Sequence, residues 1–152
     1  MALDKDRLDA IIDKYMPVFI AGDLHCGEAS LVILDEYFGT HSDVAPRVAS
    51  CFGGGMCGTR HTCGLVTGSL MAIGLKYGRE IGGDRAPSAD RGKQLIEWYI
   101  RESGTLECRP LVDFDDDDPD WMTKFRAPGG KHQTYCEPML RKVMHFVAEY
   151  CD

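Results

Sequence analysis

Apolar positions recur along the chain with a helical period. Leu8, Ile11, Ile12, Tyr15 and Met16 fall at i, i+3, i+4, i+7 and i+8, one face of an amphipathic helix that Asp4 caps and Pro17 ends or kinks. A second stripe of Leu24, Leu31, Leu34 and Phe38 predicts a helix from about Asp23 to Phe38. Ala29, Ile33 and Tyr37 continue its face, Cys26 lies in its first turn, and Gly39 follows its end. A short helix from Ser42 or Asp43 to Ser50 is expected next, with Pro46 in its early turns. Beyond a glycine-rich stretch, Thr62 to Tyr77 predict a helix that stops before Gly78. Its Gly64, Gly68 and Ala72 recur every four positions, a spacing that lets another backbone approach closely. Glycine costs a helix about 1 kcal/mol, so close packing is the natural reason for tolerating two of them there. Leu65, Leu70, Ile73 and Leu75 surround them with apolar bulk, predicting a central helix crowded on most sides.

Residues Gly82 to Ala86 read as a loop, and Pro87 suits the first turn of a helix running to about Glu102. Leu95, Ile96, Tyr99 and Ile100 form its predicted buried stripe, and Gly104 closes it. Cys108 follows on a short connector before Pro110. From Val112 to Lys131 the chain is polar, acidic and rich in Pro and Gly, which predicts a long surface loop with one helical turn near Trp121. A last helix begins near Glu137–Pro138 and places Cys136, Leu140, Val143, Val147 and Cys151 on one face. No period-2 strand and no internal repeat emerges. The expectation is an all-α fold: a single domain over residues 1–152, built as a bundle of about five to six helices with a Gly-rich loop.

Composition narrows the function. A chain of 152 residues can bury its own core, and 44% hydrophobic with 27% charged residues is ordinary for a globular protein. The net charge of −7, concentrated at Asp113 and Asp115 to Asp118, argues against a nucleic-acid partner. No apolar run is long enough to span a membrane, and the start, MALDKDRLDA, lacks the apolar core of a secretory signal. A cytoplasmic location is therefore expected, where thiols stay reduced. Seven cysteines in that setting point to metal or redox chemistry before a disulfide framework.

The cysteines stand at 26, 51, 57, 63, 108, 136 and 151. There is no C-x-x-C, no C-x-x-C-H for covalent haem, and no ferredoxin-like run, so any metal site must be assembled from separate elements. Cys63 is the best placed for a thiolate: it lies at a helix N-terminus, with Arg60 and His61 beside it. Its simpler alternative is a small buried residue among glycines. Cys26, Cys108 and Cys136 also lie at element ends. Each alone is as readily core filler as functional, but the four together suggest a point of convergence. Cys151 reads as a packing residue or an idle thiol, whereas Cys51 and Cys57 bracket the glycine loop and suit a secondary pair or an extension of a cluster site.

Gly53, Gly54, Gly55 and Gly64 are candidate cofactor-binding positions, since a glycine loop before a helix start can present backbone N–H groups to an anion. The dinucleotide fingerprint is met only loosely and no strand precedes it. His25 and His61 are candidate ligands or bases, whereas His41, His132 and His145 read as solvent or helix-surface residues. The acidic run lacks the interleaved spacing of an EF-hand and reads as a solvated loop.

HCGEASL around Cys26, FGGGMCGTRHTCGLVTGSLMAIGLKYG around Cys63, LECRPL at Cys108 and YCEPML at Cys136 together resemble a bacterial and archaeal family of small redox-active proteins named for the motif C_GCAxxG_C_C. The likeness covers nearly the whole chain. Leu65 departs from the motif's alanine, and Cys51, Cys57 and Cys151 lie outside its four cysteines. The resemblance implies a helical fold and a redox or metal role for Cys26, Cys63, Cys108 and Cys136. The family is also similar to part of the split-Soret cytochromes, which pair an iron–sulfur centre with haem; the haem motif is missing here. Three expectations follow: an iron–sulfur cluster, or zinc, on those four cysteines for electron transfer or redox sensing with an unknown redox partner; a thiol–disulfide protein with Cys63 as attacking thiolate; or a non-redox helical oligomerisation module using the Gly64/Gly68/Ala72 face.

Overall fold

The computed structural model describes residues 2–152, and every regular element among them is helical. In chain order these are α1 (Lys5–Ala21), α2 (Cys26–Phe38), a 3-10 turn (Arg47–Phe52), α3 (Gly64–Tyr77), α4 (Ala86–Ser103), α5 (Cys108–Leu111), α6 (Trp121–Arg126), a π-turn (His132–Cys136) and α7 (Glu137–Tyr150). The apolar faces of α1, α2, α3, α4 and α7 meet in one core. Among the described residues no helix is long and apolar enough to cross a membrane.

At the centre α3 packs against α2, and glycine makes the approach possible. A Cβ at Gly68 would lie 2.2 Å from the Gly27 carbonyl oxygen, and one at Gly64 would lie 2.7 Å from the Gly27 nitrogen. The small-residue face of α3 is thus covered by α2 of the same chain. Around this contact Leu31, Leu34, Leu65, Leu95, Tyr99, Leu140 and Val143 are fully buried.

Several boundaries differ from expectation. Pro17 lies inside α1, which continues to Ala21 because Phe19 is buried beyond it and Gly22, in a left-handed conformation, donates to the Phe19 carbonyl at 3.1 Å. Of the stripe predicted on α4 only Leu95 and Tyr99 are fully covered. Ile96 is half-buried and Ile100 is 42% exposed, since residues next to each other on a helix point about 100° apart. Leu75, also placed in the apolar set, lies on the exposed side of α3. The expected helix before Ser50 is a turn followed by the 3-10 segment.

From Val112 to Lys131 most residues are exposed and the expected helical turn at Trp121 is present as α6, but the segment is anchored as a flap: Trp121 is buried, stacks on Phe125 with centroids 4.7 Å apart, and donates its indole N–H to the Asp113 carbonyl at 3.0 Å. Its acidic residues Asp115 to Asp117 remain in solvent. Cys108 opens the short α5 instead of lying on a connector.

Candidate functional site

The flap, the glycine loop and the N-terminal ends of α2, α3, α5 and α7 enclose a cavity of about 290 Å³. Cys26, Cys63, Cys108 and Cys136 all line it. Each arrives by its own local device. Cys26 is the first residue of α2, and Gly64 brings it to Cys63, because a Cβ on Gly64 would sit 2.9 Å from Cys26 Cβ. Cys63 caps α3 and donates its N–H to the Leu106 carbonyl at 2.8 Å, while Cys108 donates to the His61 carbonyl at 2.6 Å. Those two bonds run residues 61–63 antiparallel to 106–108, about an isolated bridge between Thr62 and Glu107, and so bring Cys63 and Cys108 to the same wall. Cys136 ends the π-turn that leads into α7.

The glycine loop forms the next wall. Gly54, Gly55, Met56, Cys57 and Gly58 are five successive residues with φ between 52° and 71°. This conformation is open to glycine and costs L-residues about 1–2 kcal/mol each. Gly54 and Gly55 carbonyls accept from the N–H groups of Arg60 and His61 at 2.9 Å each. A Cβ on Gly55 would fall 2.6 Å from the His61 nitrogen, and one on Gly53 would fall 2.5 Å from the His25 ring. Gly53, Gly54, Gly55 and Gly64 all line the cavity, and at Gly53, Gly55 and Gly64 the missing Cβ makes room for other protein atoms.

The electrostatics of the cavity are one-sided. The chain carries 24 acidic residues, yet none lines it, whereas Arg60 and Arg126 both do. Arg60 is buried, lies 4.6 Å over the Trp121 ring and 4.8 Å over Phe114, and makes no ion pair among the described residues. Burial pushes the Cys26 thiol up to about 12, and the neighbouring sulfurs of Cys63 and Cys108 add to the shift. Cys63 is pushed up to about 11 by burial, against opposing pulls from the Tyr99 phenol and the backbone N–H groups of Leu65 and Val66. The helix-end stabilisation expected for Cys63 is present but outweighed. Cys136 is raised by burial and then by the other three sulfurs, and Cys108 by burial, with Arg60 pulling it back. Four neutral thiols therefore face one cavity at pH 7, and each would have to lose its proton to solvent before acting as a thiolate.

Two further groups escaped the sequence reading. His132, expected at the surface, is buried in the cavity wall between Phe19 and Phe125, with its Nδ1 3.0 Å from Glu137 Oε2. A carboxylate can only accept, so Nδ1 carries the proton and Nε2, buried without a partner, keeps its lone pair free. The H-x-x-x-C spacing to Cys136 was the available signal. Tyr99 is the other: its phenol is 2.9 Å from the Tyr135 phenol and meets Cys63, so a packing residue is also a sulfur neighbour. Of the expected ligands, His25 lines the cavity, whereas His61 is exposed and pairs with Glu107 at 3.4 Å. Cys51 and Cys57 are both exposed, Cys57 at the cavity's edge, and Cys151 is buried in the core.

Four cysteines from four elements around one acid-free cavity define a helical protein with a thiol-lined site, and comparison with known families supplies its class. The family model described as "Putative redox-active protein (C_GCAxxG_C_C)" matches residues 24–150, and the chain belongs to that family. No curated protein and no solved structure matches it.

Proposed function

We propose that Cys26, Cys63, Cys108 and Cys136 hold an iron–sulfur cluster through which the protein transfers electrons or senses redox state. The observation that carries this reading is the acid-free cavity that all four cysteines line. Among the described residues no three His, Cys, Asp or Glu groups are gathered closely enough to hold one ion. A tetrahedral zinc site needs its sulfurs within about 4 Å of one another, whereas a cluster of several metal atoms spreads its ligands around a larger volume. Zinc on the same four thiols is the alternative, and iron and sulfide analysis separates the two.

Such a centre supplies one-electron chemistry. The chain's own residues do the rest. Phe19 and Phe125 give the cavity an apolar wall, and Arg60, held under Trp121, supplies a buried positive charge beside Cys108 to offset thiolates. Tyr99 holds a hydroxyl against Cys63, a contact of the kind that tunes a sulfur ligand's donor strength. The raised thiols weigh against attack by Cys63 as a free thiolate, and α2 already covers the face that an oligomerisation module would use.

The test is anaerobic purification followed by iron and acid-labile sulfide analysis and a visible spectrum. Stoichiometric iron and sulfide that disappear in Cys63→Ser and Cys136→Ser are expected. A folded, colourless protein free of both after attempted reconstitution would overturn the proposal.

A further inference from the structure

Cys51 and Cys57 lie outside the four-cysteine site, and the fold sets them side by side. The Cys57 N–H donates to the Cys51 carbonyl at 2.7 Å, and the Cys57 Sγ lies 3.3 Å from the same oxygen. With standard bond lengths, that N···O contact keeps the two Cα atoms within about 6.6 Å, inside the span that a disulfide bridges. Both residues are exposed, in contrast to Cys63, Cys108 and Cys136, which are buried. The turn between them holds Gly53, Gly54 and Gly55, followed by Met56 and Cys57 in left-handed conformations. Such a conformation in two non-glycine residues persists only where the surroundings impose it. Here it folds the chain back so that Cys57 returns to Cys51.

We propose that Cys51 and Cys57 form a reversible dithiol–disulfide couple on the rim of the cavity, oxidised by low-molecular-weight disulfides. Either thiolate attacks one sulfur of the small disulfide, forming a mixed disulfide and expelling one small thiolate. The other cysteine then attacks its neighbour's sulfur, forming the Cys51–Cys57 bond and expelling the second small thiolate. Two electrons pass from the pair to the small disulfide, and the protons lost by the two cysteines go to the two departing thiolates. The product clasps the loop whose Gly54 and Gly55 carbonyls hold Arg60 and His61. The couple thus reports the surrounding thiol–disulfide balance on the wall that carries the buried cation. It does not depend on what the four inner cysteines bind.

Trypsin isolates the pair, since residues 48–60 lie between Arg47 and Arg60 and contain no other cysteine. The full-length protein is equilibrated in glutathione buffers of graded ratio, quenched with acid, alkylated and digested. Peptide 48–60 is expected to pass from two alkylated thiols to one internal disulfide as the buffer becomes more oxidising, and to return on reduction. In Cys51→Ser the same peptide is expected to stop at a single glutathione on Cys57, with unchanged far-ultraviolet circular dichroism. Two alkylatable thiols at every ratio, or glutathione adducts in the wild type without the internal bond, would overturn the proposal.

Discussion

His132 concentrates what single residues contribute to this protein. Its ring is buried, its Nδ1 proton is committed to Glu137, and its Nε2 has no partner. Burial holds the imidazole below its ordinary value, with Arg126 acting in the same direction and Glu137 opposing. The sign of the pH effect follows: as pH falls below about 6.5, the unfolded chain takes up a proton that the folded chain resists, so stability is lost on acidification. Wild-type protein should therefore lose more stability between pH 7.5 and pH 5.5 than His132→Gln, by up to about 1.4 kcal/mol per pH unit, as read from urea midpoints. Equal losses in the two proteins would remove His132 from the account. Arg60 shows the same economy of placement, with a left-handed backbone, rings above its guanidinium and Cys108 at its side.

Helix α3 shows how one element positions the site. Two of its glycines face Gly27 of α2, but Gly74 faces solvent with nothing within 4 Å of a notional Cβ. The same substitution should therefore act with opposite sign along one helix. Gly68→Ala would drive a methyl into the Gly27 carbonyl and should cost about 1–3 kcal/mol through overpacking. Gly74→Ala should stabilise by about 0.8–1 kcal/mol through helix propensity alone. Thermal midpoints of the two variants check this, and equal shifts would contradict the packing described for α2 and α3. Because that contact also sets Cys26 beside Cys63, Gly68→Ala should impair whatever the cavity binds without touching a cysteine. At the other end of the bundle, Arg141 and His145 of α7 meet Asp9 of α1, at 3.2 Å and 2.7 Å.

At the scale of the whole molecule, an acidic protein keeps its acids away from the thiol-lined cavity. Neutral thiols can be gathered there without a counter-charge, but thiolates cannot. The thiols of Cys26 and Cys63 are held at about 12 and about 11, above the value of 9.0 expected for them in the unfolded chain. As pH rises through this window the unfolded chain loses protons that the folded chain retains, so metal-free protein should become less stable from about pH 9 upward. Each such thiol contributes a slope of about 1.4 kcal/mol per pH unit. Denaturation midpoints at pH 8 and pH 10 measure it, and Cys26→Ala should flatten the dependence. An unchanged slope would mean that the cavity does not shield these thiols from water.

Much of this architecture is legible in the sequence. Helical periodicity located the principal helices, because burial along one face repeats every 3.6 residues whatever the neighbour. The cysteines at helix ends and the small-residue face of α3 were equally visible. Local pattern misjudged Ile100, Leu75, Trp121 and His132, for a single physical reason: a period shows that a side has a neighbour, but not how far that neighbour extends. His132 stands among polar residues and becomes interior only because α6 folds over it, and Pro17 stays helical only because Phe19 beyond it is anchored. The sequence by itself determined an all-helical chain whose cysteines sit at the ends of its elements. Only the tertiary structure decided which of them share a cavity, through Gly64 and Gly68 against Gly27 and through the pairing of residues 61–63 with 106–108. Those contacts join residues far apart in the chain, and no local period encodes them.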